Sequence, residues 1–203
     1  MSNEAMKPGD KFTFGGYDWV CLDPEYYFGN GVLAIMAERY KTPDGKTSFK
    51  FNEDGNADYR DSPIRNTYLA DLAGRIGTEN LVPKEIDLVA DNGDDALGSV
   101  TDYVALLSCD EFRKYRKLLP DYDDYVWTCT PWRIDDAGTA HSVRICYTGD
   151  GGALDYYSAS TSYGVAPLVV FKSSIFNPSP LGAEDAAEEE IVSDNDLQNF
   201  LFT

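Results

Sequence analysis

Histidine is almost absent from this chain of 203 residues, because His141 is the only one. One histidine cannot build a His-rich zinc or iron site. The sequence also has no G-x-S-x-G nucleophile elbow, and a lone histidine in a turn is usually a surface residue. The sequence therefore predicts a protein that is not an enzyme and holds no metal or cofactor. Acid–base chemistry by two carboxylates stays open as an alternative, since carboxylates are abundant.

Cysteines and secretion signals are also sparse. The four cysteines are Cys21, Cys109, Cys129 and Cys146. They are widely separated, with neither a C-x-x-C pair nor the spacing of zinc ligands. The first residues carry no basic region or apolar stretch of the secretory kind. We therefore expect synthesis in a cytoplasm where thiols stay reduced.

Long apolar runs are missing as well. Runs such as residues 32–37 and 165–171 are too short to cross a bilayer. Basic residues are few, with 17 Lys and Arg against 35 Asp and Glu, which gives a net charge of −18. Such a surface repels the phosphates of nucleic acid and of anionic lipid, so we expect neither as a direct partner. A basic partner protein remains open, as does a simple role of the acidity in solubility.

The N-terminal third reads as strands followed by a loop. Apolar residues alternate from Lys11 to Asp23 with a break at Gly15-Gly16, which predicts two short strands. Residues 31–38 form a nearly continuous apolar run, which indicates a central strand. Residues 46–61 are polar and predict a long loop.

Two helices follow from local signals. Ser62-Pro63 supplies a capping hydroxyl and a proline at the first helical position, and apolar residues then recur every fourth position until Ile76. Ser108-x-x-Glu111 is a capping box that opens a second helix, which we expect Pro120 to close.

The stretch from Trp132 to Phe171 carries the main functional hypothesis. Val143, Ile145 and Tyr147 alternate as in a half-buried strand, and the glycines of residues 149–152 suit a tight hairpin. These glycines are not a phosphate loop, because they lack the lysine and the following helix. Tyrosine, serine and aspartate on a β frame are typical of binding surfaces. The predicted binding residues are Trp132, Tyr147, Asp150, Asp155, Tyr156, Tyr157 and Tyr163.

Two acidic loops are weaker candidates for a calcium site. Asp91 to Asp102 matches an EF-hand loop at two positions but has Gly93 and Ala96 where a ligand and the turn glycine belong. A calcium site of another kind there, or at residues 52–58, stays an open alternative.

The last residues have a different composition. Residues 177–203 form an acidic tail behind a predicted domain of residues 1–176. The tail ends in a short amphipathic segment that either docks weakly on its own domain or forms a linear partner motif. The predicted partner residues of this segment are Leu197, Phe200, Leu201 and Phe202.

Several short motifs occur in a characteristic order. They are Phe12-x-Phe14-Gly15-x-Tyr17-x-Trp19, Ser62-x-Ile64-Arg65-x-x-Tyr68-Leu69, Asp102-Tyr-Val-Ala-Leu-Leu-Ser108-x-x-Glu111, Trp132-Arg133 and Tyr163-Gly-Val-Ala-Pro-Leu168. Together they resemble a family of uncharacterised bacterial and phage domains with a C-type-lectin-like fold, similar to the sulfatase-modifying-factor fold. Ala166 stands where that family usually carries arginine. The calcium and sugar motifs of true C-type lectins are missing, so calcium-dependent sugar binding is not implied.

The resemblance implies an α+β fold with two helices packed on a twisted, mainly antiparallel sheet and long irregular loops. It also implies a non-enzymatic binding protein of a phage or mobile element, which recognises a protein or a glycan, either as a decoration or receptor-binding component of a virion or as a protein-interaction module. An alternative of a different class is an acidic intracellular inhibitor that imitates nucleic acid in the basic channel of a host defence nuclease. The oligomeric state is not predicted.

Overall fold

The computed structural model of the chain describes residues 5–149 and 152–176. These residues form an α+β fold with two short α-helices and several antiparallel sheets. The described strands are β1 Lys11–Phe14, β2 Tyr17–Tyr26, β3 Gly31–Met36, β4 Phe49–Lys50, β5 Lys84–Asp87, β6 Ser99–Asp102, β7 Val104–Ala105, β8 Tyr125–Ile134, β9 Ala140–Tyr147, β10 Ala153–Tyr157, β11 Ser162–Tyr163 and β12 Leu168–Lys172. The helices are α1 Ala70–Ile76 and α2 Cys109–Tyr115.

The central sheet has five strands in the order β1-β2-β3-β12-β7. Strand β12, from the C-terminal part of the described chain, lies between β3 and β7. It pairs antiparallel with both of them. A second sheet has the order β10-β9-β8, and two smaller pairs join β4 to β11 and β5 to β6. The predicted strands at residues 11–23 and 31–38 are confirmed, including the break at Gly15-Gly16.

The continuous apolar run of β3 is explained by burial on both faces of the central sheet. Its even-numbered residues pack into one core cluster, while Leu33 and Ile35 pack into a second cluster on the other face. Strand β12 divides in the same way, with Phe171 in the first cluster and Leu168 in the second. A strand buried on two sides has no polar face, and its alternation disappears from the sequence.

Both predicted helices are present, with corrected bounds. The Ser62 hydroxyl accepts a hydrogen bond from Ile64 N at 3.2 Å, and a π-helical segment, Ile64–Leu69, leads into α1. The capping box of α2 is confirmed, because Ser108 and Glu111 exchange both hydrogen bonds. The prediction that Pro120 closes α2 is wrong, since the helix ends five residues earlier at Tyr115.

The prediction of a long loop at residues 46–61 is also only partly right. The segment contains β4 and a 3-10 turn, Tyr59–Asp61. Phe49, Phe51 and Tyr59 are fully buried in the first core cluster. Single aromatic residues separated by polar ones carry no periodicity, so sequence patterns could not place them.

Within the described ranges, no helix is long and apolar enough to span a membrane.

Candidate binding surface

Those predicted binding residues that the structure describes lie on and around the three-stranded sheet β10-β9-β8, but they do not share one face. Tyr156 pairs with Arg144 across the β10–β9 ladder, whereas Tyr157 pairs with Val143. Successive side chains of a strand point to opposite faces. The two tyrosines therefore project on opposite sides of β10, and they divide the predicted site into two parts.

Trp132 and Tyr156 form the first part. Their rings are stacked, with centroids 4.1 Å apart and planes 5° from parallel. The guanidinium of Arg133 lies 5.5 Å from the centroid of the Trp132 ring. Tyr156 thus occupies one face of the indole, and the Arg133 cation lies within cation–π distance of the same ring. The Trp132 ring therefore already has two contacts within its own chain.

A shallow depression of about 450 Å³ lies beside Trp132. Its other lining residues are Asp91, Asn92, Arg133, Ile134, Asp135 and Asp136. Asp91 connects this depression to two arginines, since its carboxylate oxygens lie 3.0 Å from an Arg113 nitrogen and 3.1 Å from an Arg144 nitrogen. Arg144 Nε is buried and has no hydrogen-bond partner.

Sequence patterns did not single out this group around Asp91. Its members come from the loop after β5, from α2 and from β9, and only the tertiary fold joins them. The one usable signal was the charged Arg144 between apolar neighbours in a predicted strand.

Tyr157 and Tyr163 belong to the second part, on the opposite face of the sheet. The Tyr163 ring packs edge-on against Trp127, with centroids 5.2 Å apart, and against Tyr157 at 5.3 Å. Burial, followed by the neighbouring Tyr157, raises the pKa of Tyr163 to about 12. Tyr147 packs on Tyr125 with centroids 5.6 Å apart. Tyr147 and Tyr163 are thus half-buried supports, while Tyr157 remains exposed.

Asp155 has a local structural role. Its carboxylate accepts a hydrogen bond from the Tyr156 backbone N–H at 2.8 Å. Strand β10 is an edge strand of its sheet, and an edge N–H that is already satisfied is a poor template for pairing with another strand. The Tyr156 N–H is therefore not free to pair with a partner strand.

Exposure distinguishes the residues that remain. Tyr156 and Tyr157 are 42% and 44% exposed, respectively. We call Trp132, Tyr156 and Tyr157 the aromatic edge. Asp150 and the predicted partner segment with Leu197, Phe200, Leu201 and Phe202 lie outside the described residues.

The groups considered for catalysis or metal binding already have local partners. His141 Nε2 lies 2.7 Å from Asp135 Oδ2, and this hydrogen bond to His141 is the main cause that lowers the pKa of Asp135. In the part of the chain that the structure describes, no three His, Cys, Asp or Glu side chains gather to hold a metal ion. In the two loops weighed for calcium, Asp94 accepts from Ala96 N and Asp58 forms an ion pair with Arg60.

A groove of about 520 Å³ lies next to α2, and Asp91 is one of its lining residues. One of its lining residues, Lys84, is buried and forms an ion pair with Glu111, with Nζ 2.9 Å from Oε1. Glu111 also belongs to the capping box of α2, so one carboxylate fixes the helix start and neutralises the lysine. The sequence predicted the first role of Glu111 and gave no sign of the second.

Comparison of the chain with protein-family models, with curated proteins and with solved structures found no match.

Proposed function

We propose that this protein is a non-enzymatic binding module that recognises a partner protein through the aromatic edge. The observation that carries the proposal is the exposure of Tyr156 and Tyr157 on the two sides of one edge strand. Tyrosines supply large amphipathic contact area and lose little conformational entropy on binding, which is why they are enriched in interfaces.

A protein partner fits this surface better than a glycan. Sugar recognition by aromatic residues needs a free ring face, and the Trp132 ring already has Tyr156 stacked on it and Arg133 within cation–π distance. The stack also holds Tyr156 in one orientation before binding. A pre-ordered side chain pays less entropy on association.

The test compares single alanine variants of the aromatic edge with a matched control. Tyr103→Ala is the control, because Tyr103 is also an exposed tyrosine, at 39%, but lies between β6 and β7. We expect Tyr156→Ala and Tyr157→Ala to weaken binding of the purified partner at least about tenfold, and Tyr103→Ala to leave it unchanged.

Two results would count against the proposal. Equal binding by all four proteins would remove the aromatic edge from the interface. Binding of the wild-type protein to a glycan array, lost in Tyr156→Ala, would replace the protein partner with a sugar.

The finer fold assignment is part of the same proposal. We infer a C-type-lectin-like arrangement, supported by β12 lying beside the N-terminal strand β3, by two short helices and by a separate three-stranded sheet. Membership in a phage or mobile-element family rests on the sequence resemblance. It would be supported by capsid, tail or antidefence genes next to the gene, and opposed by a housekeeping operon.

A second candidate is an acidic inhibitor that occupies the nucleic-acid channel of a nuclease. It is favoured by the pairing of most arginines with carboxylates. Most of the chain's arginines are already paired with carboxylates, namely Arg39, Arg60, Arg65, Arg75, Arg113 and Arg144. The remaining surface charge is strongly negative, since the whole chain carries −18. Affinity for the partner should then fall steeply between 50 and 500 mM salt, roughly a decade or more. Salt-insensitive binding would exclude this candidate.

A further inference from the structure

The turn between β2 and β3, which belong to a different sheet from the aromatic edge, exposes aromatic side chains. Phe28 is fully exposed, and Tyr27 beside it is 37% exposed. A single exposed apolar residue is ordinary on protein surfaces. Two adjacent aromatic residues at the tip of one turn are not, because a folded chain gains nothing from leaving them in water.

The backbone of this turn is unfavourable for the residues that it carries. Tyr27 and Phe28 have φ values of 52° and 57°, in the left-handed region that residues with a Cβ rarely adopt, and Gly29 follows with 87°. Glycine or asparagine would fit positions 27 and 28 with less strain. Selection for stability alone would therefore not choose a tyrosine and a phenylalanine here.

Hydrogen bonds nevertheless fix the turn in this shape. Gly29 N donates to Glu25 O at 3.0 Å, and Asn30 N and Nδ2 donate to Tyr27 O at 3.2 and 3.1 Å. The Tyr27 ring rests on Tyr26, with centroids 4.5 Å apart. The backbone that carries Phe28 is thus already ordered before binding, which lowers the entropy cost of association.

Carboxylate side chains lie next to the turn that carries Phe28. Asp23 and Glu25 line the depression that also contains Tyr26, Tyr27, Phe28 and Gly29. A second depression contains Glu25 again, together with Asp10 and the cation of Lys11. Excess negative charge around an apolar tip repels anionic lipid and nucleic acid. A second copy of the chain would bring the same charges, so self-association is disfavoured as well.

We propose that Phe28 is an anchor that inserts into an apolar pocket rimmed by lysine or arginine on a partner protein. Charge complementarity selects this occupant, because the rim of such a pocket would face Asp23 and Glu25. Buried aromatic anchors at the centre of an interface supply most of its binding energy. This contact is independent of the aromatic edge, which lies on a different sheet.

The first experiment places p-benzoylphenylalanine at position 28 of the full chain and irradiates it in an extract of the cells that carry the gene. Mass spectrometry then identifies the crosslinked peptide. We expect one protein, crosslinked at an apolar pocket with basic residues at its rim. Crosslinks at a surface without such a pocket, or no crosslink beyond the level of the same probe at Tyr103, would overturn the proposal.

The second experiment measures affinity for that purified protein. Phe28→Ala should weaken binding more than about 30-fold, the effect expected for a hot spot. Glu25→Lys should weaken it several-fold in low salt, while Tyr156→Ala tests the aromatic edge separately. An unchanged affinity in Phe28→Ala would overturn the anchor.

Two measurements on the protein alone separate the anchor from other roles. Phe28→Gly relieves a left-handed position and should keep or raise the melting temperature; a clear fall would show a structural residue and overturn the proposal. Sedimentation with phosphatidylserine–phosphatidylcholine vesicles, and sedimentation equilibrium of the protein itself, should show neither lipid binding nor dimers. Binding of either kind that Phe28→Ala abolishes would replace the partner protein with a membrane or a second copy.

Discussion

The buried ion pair between Lys84 and Glu111 allows a quantitative test of the structure. The side chains are only 6% and 15% exposed, respectively, and Glu111 Oε2 also accepts from Ser108 N at 2.9 Å. Removing one partner leaves a buried charge without compensation, which costs about 3–5 kcal/mol. We expect Lys84→Met to lower the free energy of unfolding by this amount. For a protein of this size the melting temperature would fall by roughly 6–20 °C.

A double-mutant cycle isolates the pair. Glu111→Gln removes the charge but keeps a side chain that can serve in a capping box. The double variant, Lys84→Met with Glu111→Gln, leaves neither charge behind and should be more stable than the sum of the single losses predicts, by about 1–3 kcal/mol.

The exposed pair Arg75–Asp71 is a matched control. Its charged atoms lie 2.7 Å apart, close to the 2.9 Å of the buried pair, but both side chains are about half exposed. The cycle Arg75→Met with Asp71→Asn should give a coupling energy below about 0.5 kcal/mol. Urea denaturation of all seven proteins measures both cycles. A coupling near zero for Lys84 and Glu111 would refute the buried pair.

The same pair predicts a pH dependence. Burial by itself would lower the pKa of Lys84, but the charge and hydrogen bond of Glu111 outweigh it, so the pKa is raised above the ordinary 10.5. A raised folded-state pKa means that the stabilisation is complete below the unfolded pKa. It is lost as the pH rises above about 10.5 through the folded value, and Lys84→Met should lose less stability in that range.

Three further changes test other parts of the fold. Gly31→Ala places a Cβ against the Val170 side chain and 3.3 Å from Phe171 O, so urea denaturation should show that the free energy of unfolding falls by about 1–3 kcal/mol. Gly74→Ala, in open space within α1, should instead stabilise the protein. Tyr59→Phe removes the buried hydroxyl that accepts from Leu106 N at 3.3 Å and should cost about 1–3 kcal/mol; no change would mean that the bond contributes nothing. All four cysteines are buried, and burial raises the pKa of Cys21 to about 12. A thiol reagent at pH 8 should therefore label none of them until denaturant is added. A thiol that reacts fast in the native protein would contradict the structure.

Local chemistry determined much of this protein directly. The capping box at Ser108 and Glu111 closes within four residues, so it was readable from the sequence. The glycine break between β1 and β2 is equally local. Alternation in β9 was visible because its apolar face and its polar positions differ in hydropathy.

The composition of the binding surface was also readable, but its geometry was not. The sequence placed Trp132, Tyr156 and Tyr157 together as candidates. Neighbouring residues of a strand face opposite sides, but only the tertiary structure shows which side each tyrosine takes and that Tyr156 stacks on Trp132. A shift of one residue in the strand register would exchange the two faces, and no local signal fixes it.

Contacts between distant segments were decided by the tertiary structure alone. Lys84 meets Glu111, and Asp91 meets Arg144, because the fold brings separate elements into one place. The left-handed turn at Tyr27 and Phe28 is the opposite case, since its aromatic residues run against the local preference for glycine or asparagine. Local sequence signals therefore determined those elements that carry a periodic pattern or a cap, together with the chemistry of their side chains. The three-dimensional packing decided which charges are buried and which aromatic residues remain available to a partner. Both depend on contacts between residues that are far apart in the sequence.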